Sequence, residues 1–122
     1  MNLTVLLHFL LGPLILLFAL LYKIFQPKDI NGRIGYRTAR SMQSREAWQA
    51  ANEFAANGLL IAALMTLLVQ VIAGLSLDDL TGIIVSVVFE TVALVSLIPM
   101  TESHLKKNFD GEGNRIGLRA GN

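Results

Sequence analysis

The sequence predicts an all-α protein: a three-helix transmembrane chain with an amphipathic cytoplasmic helix leading into the second span. Three observations carry this. Residues 3–22 and 54–77 contain no Lys, Arg, Asp or Glu, and residues 80–101 contain only Glu90. A bilayer core needs about 20 apolar residues in one helix, so each stretch is long enough. Apolar residues make up 53% of the chain and charged ones 16%, and a soluble bundle would instead place polar residues on an outer face at every turn.

The chain of 122 residues is short enough for one membrane domain. The expected boundaries are a first span over about 3–25, a cytoplasmic loop over 26–55, a second span over about 56–75, a third over about 80–100, and a cytoplasmic tail over 101–122. Only Met1 and Asn2 precede the first apolar run, with no basic segment and no small-x-small cleavage site after it, so it reads as a retained helix. Gly12-Pro13 predicts a kink there, because proline removes a backbone donor and crowds the preceding turn.

Basic residues fix the expected orientation. All ten lie between Lys23 and Arg45 or after the third span, from Lys106 to Arg119, whereas the turn over 76–79 carries only Asp78 and Asp79. The positive-inside rule then places the N-terminus outside and the long loop and C-terminus in the cytoplasm of a bacterial inner membrane.

Residues 45–58 read as an amphipathic helix. Ala47, Trp48, Ala51, Phe54, Ala55 and Gly58 recur at helical spacing opposite Arg45, Glu46, Gln49, Glu53 and Asn57, and Ser44 fits an N-cap. This segment is expected at the membrane interface, with Trp48 among the headgroups. Residues 101–109 extend the third helix, and the glycine-rich residues 110–122 are expected to be disordered.

A stripe of small and polar residues marks the second and third spans. Gly58, Ala62, Thr66, Gln70 and Gly74 follow one another every four residues, as do Gly82, Ser86 and Glu90, with Ala93 beyond. Such stripes form contact faces between membrane helices. An antiparallel hairpin about Asp78 would bring Gly74 level with Gly82, Gln70 with Ser86, and Thr66 with Glu90. Thr66, Gln70, Ser86 and Glu90 are therefore the candidate intramembrane polar cluster. An acidic group at mid-span costs about 2.5–3.5 kcal/mol. A protonated Glu90 locking the hairpin to Thr66 or Gln70 is preferred over a proton or cation site. His8 is read as interfacial, with membership of this cluster as the alternative.

The loop reads Asn31-Gly32-Arg33-Ile34-Gly35-Tyr36-Arg37-Thr38-Ala39-Arg40-Ser41-Met42. Its glycines permit tight turns with positive φ. Its arginines suit anionic lipid, at about 1 kcal/mol per basic group. Arg37 is expected to pair with Glu46, Glu53 or backbone carbonyls. There is no P-loop lysine, and one tyrosine is too few for stacking on RNA. No cysteine is present, and no nucleophile–base pair or metal set stands out. Neither catalysis, a cofactor, a bound metal nor nucleic acid is expected.

The run from Asn31 through Gly35-Tyr36-Arg37-Thr38, Arg40 and Ser41-Met42 to Glu46, Trp48 and Ala51-Asn52 resembles the SdpI family of bacterial membrane proteins. The later run Glu102, Leu105-Lys106-Lys107, Phe109-Asp110 and Gly113 resembles the ending of its short members. The family usually has proline where Ala39 stands and Gly-Lys where Ala56-Asn57 stands. The resemblance implies a multi-pass inner-membrane protein of one module. It also implies a binding motif of Asn31, Gly32, Gly35, Tyr36, Arg37, Thr38, Arg40, Ser41, Trp48 and Asn52. Its namesake is a longer immunity protein against a secreted peptide toxin. The expectation is therefore partner binding, in immunity or signalling, by a homo-oligomer or with another membrane protein. The competing readings are an accessory subunit of a larger complex and an ion- or proton-coupled carrier.

Overall fold

The computed structural model describes residues 2–116; Arg119 and the rest of the tail expected to be disordered over 117–122 lie outside them. Three helices follow in order: α1 (Leu3–Ile24), α2 (Arg45–Ser76) and α3 (Asp79–Asn108). Each is long and apolar enough to cross a membrane. Each also starts on a polar side chain that accepts from a backbone N–H left free by the first turn: Asn2 from Val5, Ser44 from Ala47 and Asp78 from Thr81. α1 runs unbroken through Pro13.

α2 has 32 residues. At 1.5 Å per residue it is about 48 Å long, well beyond the roughly 30 Å of a bilayer core. Its first turns therefore project from the membrane beside the last turns of α3. There Ala47 and Ala51 of α2 pack against Leu105 and Phe109, with Tyr36 and Ala50 at the edge. Ala47, Trp48, Ala51 and Ala55 on the apolar side of residues 45–58 are thus covered by protein, whereas Phe54 is only half-buried. Trp48 is fully buried, which corrects its expected place among the headgroups.

α2 is the central helix, packed on α3 along one side and on α1 along another. α3 runs antiparallel to it, with Gly82 against the Ala73 backbone and Gly58 against Leu97. The small-residue stripe of α2 does not all face α3, however. Gly74 meets Phe9 of α1, and Gln70 lies against Gly12 of α1. The cause is helical pitch. At 3.6 residues per turn, a step of four overshoots one turn by about 40°. Over the 16 residues from Gly58 to Gly74 the stripe winds from α3 round to α1.

Gly12 makes the α1–α2 contact possible. A Cβ there would overlap Gln70 Oε1 and lie 2.7 Å from Leu67 Cδ2. Gly12→Ala is expected to destabilise the chain in detergent by about 1–2 kcal/mol through crowding. Gln70→Ala in the same chain should recover part of that loss, and equal loss with or without Gln70 would show that this contact is not the cause.

The tail after α3 is ordered through Ile116, which corrects the expected disorder over its first part. Gly111 O accepts from Gln43 Nε2 at 2.7 Å and Gly113 O from Ser44 Oγ at 2.7 Å. Asp110 Oδ1 accepts from the backbone of Glu112 and Asn114. Phe109 supplies the apolar anchor, buried to 2% exposure, with the Arg115 guanidinium 4.8 Å from its ring centre. Arg115 also pairs with Glu46 at 3.8 Å. Arg115→Ala is expected to cost only about 0.5–1 kcal/mol, read as a severalfold faster proteolytic loss of the tail.

Candidate functional site: the loop latch beneath the helices

The loop motif folds onto the projecting turns of α2, and Asn52 is its hub. Asn52 is wholly buried. Its Oδ1 accepts from Tyr22 Oη of α1 at 2.5 Å and from the Tyr36 backbone at 2.7 Å. Its Nδ2 donates to Trp48 O at 2.9 Å and Tyr36 O at 3.5 Å. One amide thus ties α1, the loop and α2 together. One turn earlier, Trp48 Nε1 donates to Pro27 O at 2.9 Å, fixing the point where the chain leaves α1.

Gly35 lets the loop come close enough to use that hub. Its φ is +108°, and a Cβ would lie 2.7 Å from Asn52 Oδ1, 2.9 Å from Pro27 Cγ and 3.1 Å from Trp48 Cζ2. Gly32 has open space around it and no positive φ. Only one of the two loop glycines is therefore needed for its conformation. Asn31 forms a local turn, its Oδ1 accepting from the backbone of Arg33 and Ile34 at 2.9 and 2.8 Å.

Thr38 and Ser41 close a second turn on each other. Ser41 Oγ accepts from Thr38 N at 2.8 Å, and Ser41 N donates to Thr38 Oγ1 at 3.1 Å. Ser41 Oγ also lies 3.1 Å from Tyr36 O, and the residue is fully buried. Tyr36 Oη donates to Glu102 Oε1 of α3 at 2.8 Å, and Arg40 Nε lies 3.3 Å from Glu102 Oε2. Burial first, then the hydrogen bond and negative charge of Glu102, push the Tyr36 phenol above its ordinary range. Tyr36 therefore stays neutral and acts as a donor.

Arg37 is not where the sequence reading put it. Its side chain is exposed, and among the described residues it makes no ion pair or hydrogen bond. Its expected partners are otherwise engaged or distant: Glu46 is taken by Arg115, and the motif's own ion pair belongs to Arg40. Arg33 is likewise exposed. Of the motif residues, then, Gly35, Tyr36, Thr38, Arg40, Ser41, Trp48 and Asn52 are joined in one latch. Asn31, Gly32 and Arg37 stand outside it. Sequence reasoning did not assign Tyr22, Pro27 and Glu102 to this site. Glu102 stood in the later run that resembles the family, whereas the signal of Tyr22 and Pro27 lay only in their position at the end of α1.

Within the spans, Thr66, Gln70 and Ser86 are buried. They do not converge on Glu90. Gln70 Nε2 donates to His8 O at 3.3 Å, and Ser86 Oγ donates to its own helix at Gly82 O, 2.8 Å away. Glu90 is half-buried and has no hydrogen bond or ion pair among the described residues. The winding of the α2 stripe is the reason, since it turns Gln70 toward α1. His8 is buried to 5% exposure, and among the described residues its Nε2 has no hydrogen-bond partner.

This geometry covers the stretch over which relatives are found. The family model described as the SdpI/YfhL protein family matches residues 28–102. The chain belongs to the SdpI/YfhL family. The protein named "Uncharacterized protein YfhL" from Bacillus subtilis (strain 168) is 36% identical over 98 residues, covering 78% of this chain and 82% of its own length. No solved structure matches. The SdpI/YfhL match begins at Lys28, beside the carbonyl that holds Trp48, and ends at Glu102, the α3 partner of the latch. It thus contains the whole SdpI/YfhL loop motif, all of α2, and α3 as far as Glu102.

Proposed function

We propose that this SdpI/YfhL protein is a non-enzymatic bacterial inner-membrane protein that binds a protein partner through its cytoplasmic head, in toxin immunity or signalling. In this reading the N-terminus is outside and the loop and tail are inside, as the charge asymmetry favours. The observation that carries it is the division of labour within the motif. Buried members spend their hydrogen bonds on the fold, while Arg33 and Arg37 are held outward with no acidic partner among the described residues. Two arginines fixed in this way suit an acidic surface, since guanidinium groups bind carboxylates in a defined geometry.

A photo-crosslinking residue at position 37 in intact cells tests this. The expected result is a discrete adduct of higher mass, weakened when Arg33 is replaced by alanine. Lipid adducts alone would contradict partner binding. The carrier reading keeps one supporting observation, the unspent Glu90 and His8 inside the spans, and it requires Glu90→Gln to change a measurable ion flux.

A further inference from the structure

We propose that the groove between the projecting ends of α2 and α3 binds an anionic phospholipid, with its phosphate at Ser103, His104 and Lys107. The groove has a volume of about 410 Å³ and is walled by Phe54 of α2 and by Pro99, Met100, Ser103, His104 and Lys107 of α3. Met100, Ser103, His104 and Lys107 fall at helical spacing on one side of α3. Apolar Pro99 and Met100 end the third apolar stretch, and the polar side chains begin directly above them. The groove therefore lies where hydrocarbon gives way to headgroups.

Its chemistry is that of an amphiphile with a negative head. The His104 ring stacks on Phe54 at 4.4 Å between centres and 18° between planes, which fixes the imidazole at the rim. Lys107 has no acidic partner among the described residues. Of the acidic groups at this end, Glu102, Glu46 and Asp29 are taken by Arg40, Arg115 and Arg45, and Glu53 and Glu112 do not line the groove. A phosphate would accept from the Ser103 hydroxyl and the Lys107 ammonium together. Its acyl chain would continue down the same side of α3 from Met100, past Ser96 to Val92, which is apolar and exposed. A free phosphate would leave that floor uncovered. The plain alternative is that Lys107 only complements the negative end of the α3 dipole. Lys106 would do that equally well and does not line the groove.

The inference depends on the membrane-spanning fold and not on the proposed orientation or partner. Native mass spectrometry of the purified full chain in detergent, titrated with phosphatidylglycerol and with phosphatidylcholine, tests it. Phosphatidylglycerol should bind at least about fivefold more tightly, and Lys107→Gln should remove about that factor, while Lys106→Gln changes it less than about twofold. Met100→Trp, which fills the floor without altering charge, should also weaken phosphatidylglycerol binding. Equal losses for the two lysine variants, no preference between the lipids, or full displacement by millimolar inorganic phosphate would each overturn the proposal.

Discussion

Asn52→Ala should be the most damaging single substitution in the loop latch. It leaves the Tyr36 N–H and the Trp48 carbonyl without their side-chain partner and cuts the tie to Tyr22. A buried polar group left unsatisfied costs about 1–3 kcal/mol, so a loss of about 2–4 kcal/mol is expected once solvent reaches part of the gap. Trp48 provides the readout, because it is the only tryptophan in the chain and is fully buried. Its emission should shift to the red in Asn52→Ala at a temperature where the wild-type spectrum is unchanged, and the thermal midpoint in detergent should fall. An unshifted spectrum with an unchanged midpoint would show that Asn52 is not the hub.

Gly35→Ala is expected to be nearly as costly, for a different reason. A side chain at a positive φ of this size costs about 1–3 kcal/mol in backbone energy alone. The added methyl then meets Asn52 Oδ1, Pro27 and Trp48. None of these is the free end of a flexible chain: the first already accepts two hydrogen bonds, and the ring of the last is enclosed. Crowding of this kind adds about 1–3 kcal/mol. Gly32→Ala is the natural control, since a Cβ there meets nothing within 4 Å. It should lie within about 0.5 kcal/mol of wild type. Equal effects at the two glycines would remove the steric argument.

The spans were legible in the sequence because burial in a bilayer imposes a composition that no soluble helix needs. The N-cap at Ser44 and the antiparallel setting of α2 and α3 about the turn at Asp78 follow from short-range rules. The partner of Gln70 was not legible in the same way. A stripe with a spacing of four looks like one face on paper, and only its slow winding turns Gln70 and Gly74 to α1. The loop motif was visible as a pattern, but its division into latch and exposed arginines was not. Arg37 and Arg40 are indistinguishable by type, and what separates them is the position of Glu102, 62 residues after Arg40 and brought beside it by the return of α3. The ordering of residues 110–116 was hidden by their glycines. Gly113 is there for its positive φ and its carbonyl contact with Ser44, not to loosen the chain.

The central claim is that the loop motif is a buried latch on a membrane hairpin, with Arg37 held outside it. The natural chain has no cysteine, so single cysteines report without background. Ser41→Cys and Arg37→Cys should be compared in inside-out and right-side-out membrane vesicles with a membrane-impermeant maleimide. The account predicts rapid labelling of position 37 in inside-out vesicles only. It also predicts protection of position 41 in both preparations until denaturant is added, as befits a fully buried site four residues away. Equal rapid labelling of both positions would contradict the latch, and labelling of position 37 in right-side-out vesicles alone would contradict the orientation.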